Sequence, residues 1–324
     1  EIDNLIDIQL DLDCSVMTDG DFRRSWWHFD FLEQLDGIEQ YKTAQGTPYH
    51  NAITKPIGVR VMGKIAWTSQ HTSVAHYAYL HQAIEGFATA KYCIPSPTTL
   101  LFPQLINNRF YHHQLDMYID DIAQAYREAI DALYQAGCRY LQLNDEFWAY
   151  LSDQECRVHA SQLGWDAHEL ARLGVKILNL ALQDKPHDLF ISLHIDRGNF
   201  SSSWLYQGSY DWVSDYIFPQ LTQIDRFLLE FDTQRAGGFE CLAKLQHTQA
   251  EVFLGLISSK TDYLENEQEI SMRLHQAAQY LPLQQLGLCL QSGVASSEEG
   301  NKLAYAMQWE KIKLMNQVAK KFWP

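Results

Sequence analysis

The stretch LFISLHID (residues 189–196) decides the fold, because an apolar run of strand length ends in the polar residues His194 and Asp196. Similar runs lie on either side of it, CRYLQLND (138–145) before it and RFLLEFD (226–232) after it. Nearly uninterrupted apolar strands are typical of parallel sheets, whose two faces are both buried. The segments between the runs have helical period, so the pattern predicts alternating parallel strands and helices.

The same alternation continues towards both ends of the chain. Further strands are predicted at VMTD (16–19), KYCIPSP (91–97), EVFLGLIS (251–258) and LGLCLQS (286–292), with a strand or hairpin at 57–66. Helices are predicted at 75–86, 116–136, 165–183, 209–217, 239–246, 264–280 and 297–320. Because no linker interrupts the pattern, we predict an α/β fold, a single (β/α)8 TIM barrel over residues 1–324, whose first strand is missing from this chain. A doubly wound sheet is the alternative, but the glycine-rich phosphate turn that it would carry is not found.

The composition excludes several classes of partner. The chain has 324 residues, 46% of them hydrophobic, and a formal net charge of −15. An acidic surface repels nucleic acid and anionic membranes, so neither is predicted as a partner. The six cysteines form no Cys-x-x-Cys pair, which favours reduced thiols and a cytoplasmic location. The sequence indicates no oligomeric state.

Polar residues stand at the ends of the predicted strands, where barrel enzymes build their sites. His194 and Asp196 are two residues apart and share one face of their strand. Glu230 ends the next strand, and Ser292 ends the last one. A histidine with two carboxylates around one point is a set for metal binding or for acid-base catalysis. A structural network of ion pairs at the strand ends is the alternative interpretation.

Seven motifs in order show which family the chain resembles. They are TDGDFRRSWWHFDF (18–31), IPSPTTLLF (94–102), LQLNDEF (141–147), LHIDRGNF (193–200), LLEFDTQRAGGFE (228–240), LGLISSKTDYLE (254–265) and LQSGVASSEEGN (290–301). Together they resemble the catalytic barrel of cobalamin-independent methionine synthase, in the form of its short single-barrel relatives. The resemblance covers nearly the whole chain.

The resemblance implies a zinc centre that this chain has altered. In the family, zinc holds homocysteine as a thiolate, which accepts the methyl group of 5-methyltetrahydrofolate. The family's metal ligands fall on His194, Asp196, Glu230 and Ser292. Histidine and glutamate match the family pattern, whereas aspartate and serine replace its two cysteines. Oxygen donors favour harder ions than zinc, so the sequence leaves zinc, another divalent metal or no metal open.

The resemblance also implies residues that bind the substrate. Asp145 matches an aspartate that holds the substrate's amino group, and Asp21 stands where the family has a glutamate with a similar role. Glu146 is expected to fix the geometry of Asp145. Lys260 follows a strand end and is predicted to steady a developing negative charge, with a solvated loop lysine as the alternative.

Two arginines complete the predicted site. Arg197 and Arg235 both follow strand ends and are predicted to receive an anionic substrate. The leading hypothesis is a methyltransferase of methionine biosynthesis that acts on a small thiol, with homocysteine and a folate as substrates. One alternative is a barrel enzyme that uses another metal, or an acid-base set, on an amino acid-like substrate. The other alternative is a non-catalytic paralogue that binds a ligand.

Overall fold

A computed structural model of the protein describes residues 1–324. The chain divides into two compact units, which are described separately. The first unit contains residues 1–46, 55–144 and 172–192, and the second contains residues 47–54, 145–171 and 193–324. The prediction of a single domain stays a prediction.

Strands and helices alternate along the chain. The strands are β1 (Val16–Met17), β2 (Asp36–Lys42), β3 (Pro48–Tyr49), β4 (Ala52–Ile53), β5 (Ile57–Ala66), β6 (Thr89–Pro95), β7 (Tyr140–Asn144), β8 (Phe190–Ile195), β9 (Arg226–Glu230), β10 (Glu251–Ile257) and β11 (Leu286–Leu290). The α-helices are α1 (Ile2–Asp11), α2 (Phe29–Leu32), α3 (Ser73–Ile84), α4 (Pro103–Ile106), α5 (Leu115–Gln135), α6 (Phe147–Ser152), α7 (Gln154–Gln162), α8 (Ala167–Ala181), α9 (Asp211–Gln220), α10 (Glu267–Ala277) and α11 (Tyr305–Phe322). Short 3-10 helices cover Pro97–Leu101, Gln234–Ala236, Glu240–Leu245 and Leu283–Gln285.

Strand order confirms the predicted fold class. Seven strands form one sheet in the order β1-β6-β7-β8-β9-β10-β11. In the first unit β6 pairs in parallel with β1 and β7, and in the second unit β10 pairs in parallel with β9 and β11. Neighbours in this sheet follow one another in chain order, as in a TIM barrel, whereas a doubly wound sheet reverses its order. The seven strands are those that the sequence predicts.

The structure differs from the sequence prediction in several segments. The short strands β3 and β4 and the helices α2, α4, α6 and α7 were not predicted, and the helix expected at 239–246 is a 3-10 helix over Glu240–Leu245. Residues 57–66 form a strand as expected, but their antiparallel partner β2 was not predicted. The last helix begins at Tyr305 and not at residue 297. Gly300 in the intervening turn has φ +76°, a backbone conformation that a helix cannot contain.

The first unit has its core where the helical period predicts it. Helix α5 buries the expected stripe, which includes Tyr118, Ile122 and Tyr126. His71 is buried with a ring nitrogen, Nε2, 3.0 Å from the carbonyl oxygen of Phe31. Burial lowers the pKa of His71 to about 4.

None of the helices combines the length and the apolar composition that a membrane span requires.

In the second unit, β10 and β11 approach closely at Gly255. A Cβ atom at this position would lie 2.6 Å from the Cα atom of Gln291 and 3.0 Å from the carbonyl oxygen of Leu229. Only glycine fits between two backbones at that distance. This close approach places Gln291, just beyond β11, beside the ends of the neighbouring strands.

Candidate functional site

Hydrogen bonds from backbone and side-chain groups join the ends of several strands in the second unit. The N–H of Asp145 donates to the carbonyl oxygen of His194 at 2.8 Å. The Nε2 atom of His194 lies 3.2 Å from the carbonyl oxygen of Gln291. The N–H of Arg197 donates to Oε2 of Glu230 at 2.8 Å. Four segments that are distant in sequence therefore meet at one end of the strands.

Asp145 and Glu146 form an acidic edge of this region. Asp145 is 2% exposed, and its Oδ1 accepts hydrogen bonds from the N–H groups of Phe147 (2.9 Å) and Trp148 (3.2 Å). These bonds cap the start of α6 and fix the direction of the carboxylate. Glu146 is half-buried, and burial, together with Asp196 and Asp145, raises its pKa to about 8.

The second feature is a buried cluster of four charged residues. Glu230 and Asp232 are both 0% exposed, and Lys260 is 6% exposed between them. The ammonium nitrogen of Lys260 lies 3.3 Å from Oε2 of Glu230 and 3.1 Å from Oδ2 of Asp232. Arg235 places Nη2 2.8 Å from Oε1 of Glu230 and 3.6 Å from Oδ1 of Asp232. We call these four side chains the charged cluster.

The pKa values of the two carboxylates of the charged cluster are shifted in opposite directions. Burial raises the pKa of Glu230, although Lys260 opposes this shift. Burial acts on Asp232 in the same direction, but Lys260, the hydroxyl of Ser258 and Arg235 outweigh it and lower the pKa of Asp232. The surroundings of Asp232 therefore favour its charged form more than the surroundings of Glu230 do, and Lys260 is a counter-ion of both.

A second set of contacts, which we call the supporting network, connects the charged cluster to helix α11. The hydroxyl of Ser258 donates to Oδ2 of Asp232 at 2.7 Å. The N–H of Ser258 donates to Oε1 of Glu265 at 2.9 Å. Glu265 is paired with the ammonium of Lys311, which is 1% exposed and 2.8 Å from Oε2. Helix α11, which carries Lys311, is thus tied to the strand ends.

The four predicted metal ligands stand at the ends of strands of the second unit, and three of them, His194, Asp196 and Glu230, have side chains that make other contacts. Among residues 1–324, no group of three or more His, Cys, Asp and Glu side chains is arranged to hold a metal ion. Oδ1 of Asp196 accepts from the N–H of Gly198 at 3.0 Å. Both oxygens of Glu230 are bonded to cations or to a backbone donor. Ser292 contributes a neutral hydroxyl, a weak ligand. These side chains do not fit a zinc–thiolate centre.

The two predicted arginines have protein partners. Arg197 is 0% exposed, lies with its guanidinium carbon 4.1 Å above the ring of Tyr210, and donates from Nη2 to the carbonyl oxygen of Gly208 at 2.7 Å. Arg235 belongs to the charged cluster and lies 5.0 Å above the ring of Trp204. Lys260 is likewise buried, which argues against a solvated loop lysine.

Asp21 belongs to the first unit. Its backbone has φ +55°, and its carboxylate is 3.3 Å from Nη1 of Arg24. Its N–H donates to Oδ1 of Asp19 at 3.0 Å. Burial raises the pKa of Asp21, and Arg24 opposes this shift. The described contacts of Asp21 are thus with its own turn.

Two residues of the site were missed by the sequence prediction. Asp232 stands two residues after Glu230, the same spacing that singled out His194 and Asp196, so the alternation rule was sufficient to find it. Gln291 accepts from both the N–H and the hydroxyl of Ser259 at 2.8 Å. Gln291 belongs to the motif LQSGVASSEEGN (290–301), but its contacts with Ser259 could not be predicted, because they follow from the packing of β10 against β11.

The chain is similar to a known protein family and to two proteins of Bacillus subtilis. Residues 1–201 match the family described as "Cobalamin-independent synthase, Catalytic domain". The proteins YxjH and YxjG of Bacillus subtilis, both named as uncharacterized, are 42% and 41% identical to this chain over 323 residues, which cover 100% of it and 85% of each relative.

Two solved structures are also similar. A putative vitamin-B12 independent methionine synthase from Listeria monocytogenes has a TM-score of 0.78 at 32% identity, covering 100% of this chain and 86% of that one. A B12-independent methionine synthase from Shewanella sp. W3-18-1, in complex with selenomethionine, has a TM-score of 0.74 at 17% identity, covering 99% and 86%. At that identity, the second likeness bears on the fold alone.

Proposed function

The chain belongs to the cobalamin-independent synthase catalytic-domain family, and from this membership we propose that it transfers a methyl group to the sulfur of homocysteine. The proposed donor is 5-methyltetrahydrofolate or its polyglutamate, and the product is methionine. The observation that carries the proposal is the meeting of Asp145, His194 and Glu230, three family positions kept in this chain, at one end of the strands of the second unit.

Each proposed role follows from the contacts of the residue. Asp145 has a carboxylate oriented by two N–H donors, which suits it to bind the ammonium group of an amino acid. Glu146 lies beside it, and because burial and the neighbouring carboxylates raise its pKa to about 8, we propose that it acts there as a neutral hydrogen-bonding group near pH 7. Lys260 supplies a positive charge close to the strand ends, where a thiolate would need compensation.

The remaining predicted residues receive narrower roles. We propose that Arg235 positions Glu230, because its Nη2 donates to Oε1 of that residue. Arg197 contacts Glu230 through its backbone N–H, while Nε and Nη1 of its guanidinium have no hydrogen-bond partner in the protein, so we keep a substrate-binding role for Arg197 as a proposal. We propose Asp21 as a substrate ligand only from its place in the family pattern. None of the six cysteines takes part in a disulfide bond, which supports the proposed cytoplasmic location.

The experiment is a direct assay of methionine formation. The purified protein is incubated with homocysteine and 5-methyltetrahydrofolate, as the monoglutamate and as the triglutamate, and methionine is measured by mass spectrometry. We expect methionine from at least one folate and a loss of at least about tenfold in kcat/KM for Asp145→Asn. Lys313→Met, on an exposed ion pair, is the matched control that should keep full activity.

The assay also separates the competing hypotheses. Absence of methionine with both folates would refute the proposed pair of substrates. Methylation of homocysteine from another donor would keep the acceptor and replace the folate. Homocysteine binding without turnover, measured by calorimetry, would favour the non-catalytic paralogue.

A further inference from the structure

The charged cluster places an ammonium group where two carboxylates face each other. The Nζ atom of Lys260 is 3.3 Å from Glu230 and 3.1 Å from Asp232, and the three side chains are 6%, 0% and 0% exposed. The ammonium of Lys260 thus bridges two carboxylates that have no access to solvent, and Arg235 contacts the same two carboxylates through their other oxygens. Two buried carboxylates without a cation between them would repel each other in a medium of low polarity.

Most carboxylate oxygens in the charged cluster are already bonded. Oε1 of Glu230 accepts from Arg235 at 2.8 Å, and Oε2 accepts from the N–H of Arg197 at 2.8 Å. Oδ2 of Asp232 accepts from Ser258 at 2.7 Å. A metal ion binds a carboxylate oxygen at about 2.0–2.6 Å, so it would have to displace the ammonium of Lys260 from the space that the ion needs.

We infer that Lys260 is a resident cation that takes the place of a divalent metal ion beside Glu230 and Asp232, so that the protein binds no zinc there while Lys260 is present. The balance of charges supports this inference in addition to the lack of space for an ion. Within the charged cluster, Glu230 and Asp232 are balanced by Lys260 and Arg235, so a further dication would leave an excess of buried positive charge. The inference concerns the resting protein and goes beyond the proposed methyl transfer.

The decisive variant is Lys260→Met, which keeps the length of the side chain and removes its charge. Without the ammonium, Glu230 and Asp232 present two oxygen ligands to one point, a set that hard divalent ions prefer. We expect Lys260→Met to bind Mn²⁺ at least about tenfold more tightly than the wild type in calorimetry. Lys260→Arg, which keeps the charge, and Lys313→Met, which removes an exposed one, should both behave as the wild type.

Metal analysis of the wild type provides a second, independent measurement. We expect far less than one zinc ion per chain after purification, and no change in melting temperature when a chelator is added. One tightly held zinc ion per chain would overturn the inference, and so would a folded Lys260→Met that gains no affinity for Mn²⁺. If Lys260→Met folds only when Mn²⁺ is supplied, the ion replaces the lysine as inferred.

These results are separable from the methionine assay. A zinc-free wild type that forms no methionine would refute the proposed function and leave the inference intact. A zinc-containing wild type that forms methionine would do the reverse.

Discussion

Replacement of Lys311 by methionine tests how much the buried ion pair between Lys311 and Glu265 contributes to the free energy of unfolding. This pair belongs to the supporting network of the charged cluster. The ammonium is 1% exposed and its partner Glu265 is 13% exposed, with 2.8 Å between Nζ and Oε2. Methionine retains the aliphatic length of lysine, so Lys311→Met removes the charge and little packing. Glu265 would remain buried with its negative charge and only the N–H of Ser258 as a described donor.

The expected cost follows from that uncompensated charge. Removal of one partner of a buried ion pair typically destabilises a protein by about 3–5 kcal/mol. Because Ser258 still donates to Glu265, we expect a value near the lower end, about 3 kcal/mol. The double variant Lys311→Met/Glu265→Gln removes both charges and should cost less than Lys311→Met alone, since a neutral pair needs no counter-ion.

Urea unfolding followed by tryptophan fluorescence measures these differences. Lys313→Met is the matched control on the same helix, where a pair with 2.7 Å between Nζ and Oε1 of Glu310 is about half exposed and should contribute less than about 1 kcal/mol. If Lys311→Met costs no more than Lys313→Met, or if the double variant costs more than the single one, the buried network does not behave as described.

Three further predictions concern the capped carboxylate, a buried histidine and a glycine. Asp145→Ala should lower the free energy of unfolding by about 1 kcal/mol, because the helix cap is lost, whereas Asp145→Asn should keep the cap. Both variants should raise the KM for homocysteine. Equal melting temperatures for the two variants would contradict this prediction. His71 has a folded-state pKa of about 4, below its ordinary value of 6.5, so the unfolded chain binds the extra proton as the pH falls from about 6.5 to about 4. Stability should therefore fall across that window, and His71→Gln should reduce the slope by about 1.4 kcal/mol per pH unit in urea unfolding at stepped pH. Gly208→Ala should destabilise the protein by several kcal/mol more than Gly164→Ala. Both glycines have a positive φ, but only at Gly208 would a Cβ atom lie 2.3 Å from the carbonyl oxygen of Ser152. Similar melting temperatures for the two variants would refute the steric argument.

The sequence predicts the sheet well, because its strands are apolar on both faces and end in polar residues. LFISLHID and RFLLEFD correspond to β8 and β9 with bounds shifted by one or two residues. The hairpin partner β2 was missed, since DGIEQYK is mostly exposed and lacks the apolar run that marks the other strands. The predicted start of the last helix at residue 297 was wrong, because the positive φ of Gly300 is incompatible with a helix and α11 begins at Tyr305.

For the site, the sequence predicts which residues stand at the strand ends better than it predicts which side chains they contact. It indicated that residues 194, 230 and 260 stand at the ends of neighbouring strands, which depends only on strand order. It could not indicate that Lys260 would lie between Glu230 and Asp232, because that depends on the path of the turn after β10. Arg197 shows the same limit, since its burial against Tyr210 follows from packing and not from its place in the chain.

The resemblance implies cysteine ligands at positions 196 and 292, and we propose to explain their replacement together with the contacts of Lys260. A centre that loses its thiolates loses most of its affinity for zinc, and Glu230 would then be left buried with no counter-ion. A buried carboxylate in that state is tolerated only if its pKa rises or if another cation pairs with it. Here Lys260 and Arg235 provide the cations, and Asp232 balances the second positive charge. Retention of Glu230 is therefore no evidence that a metal is retained, because the same side chain now has a structural reason to be charged and buried.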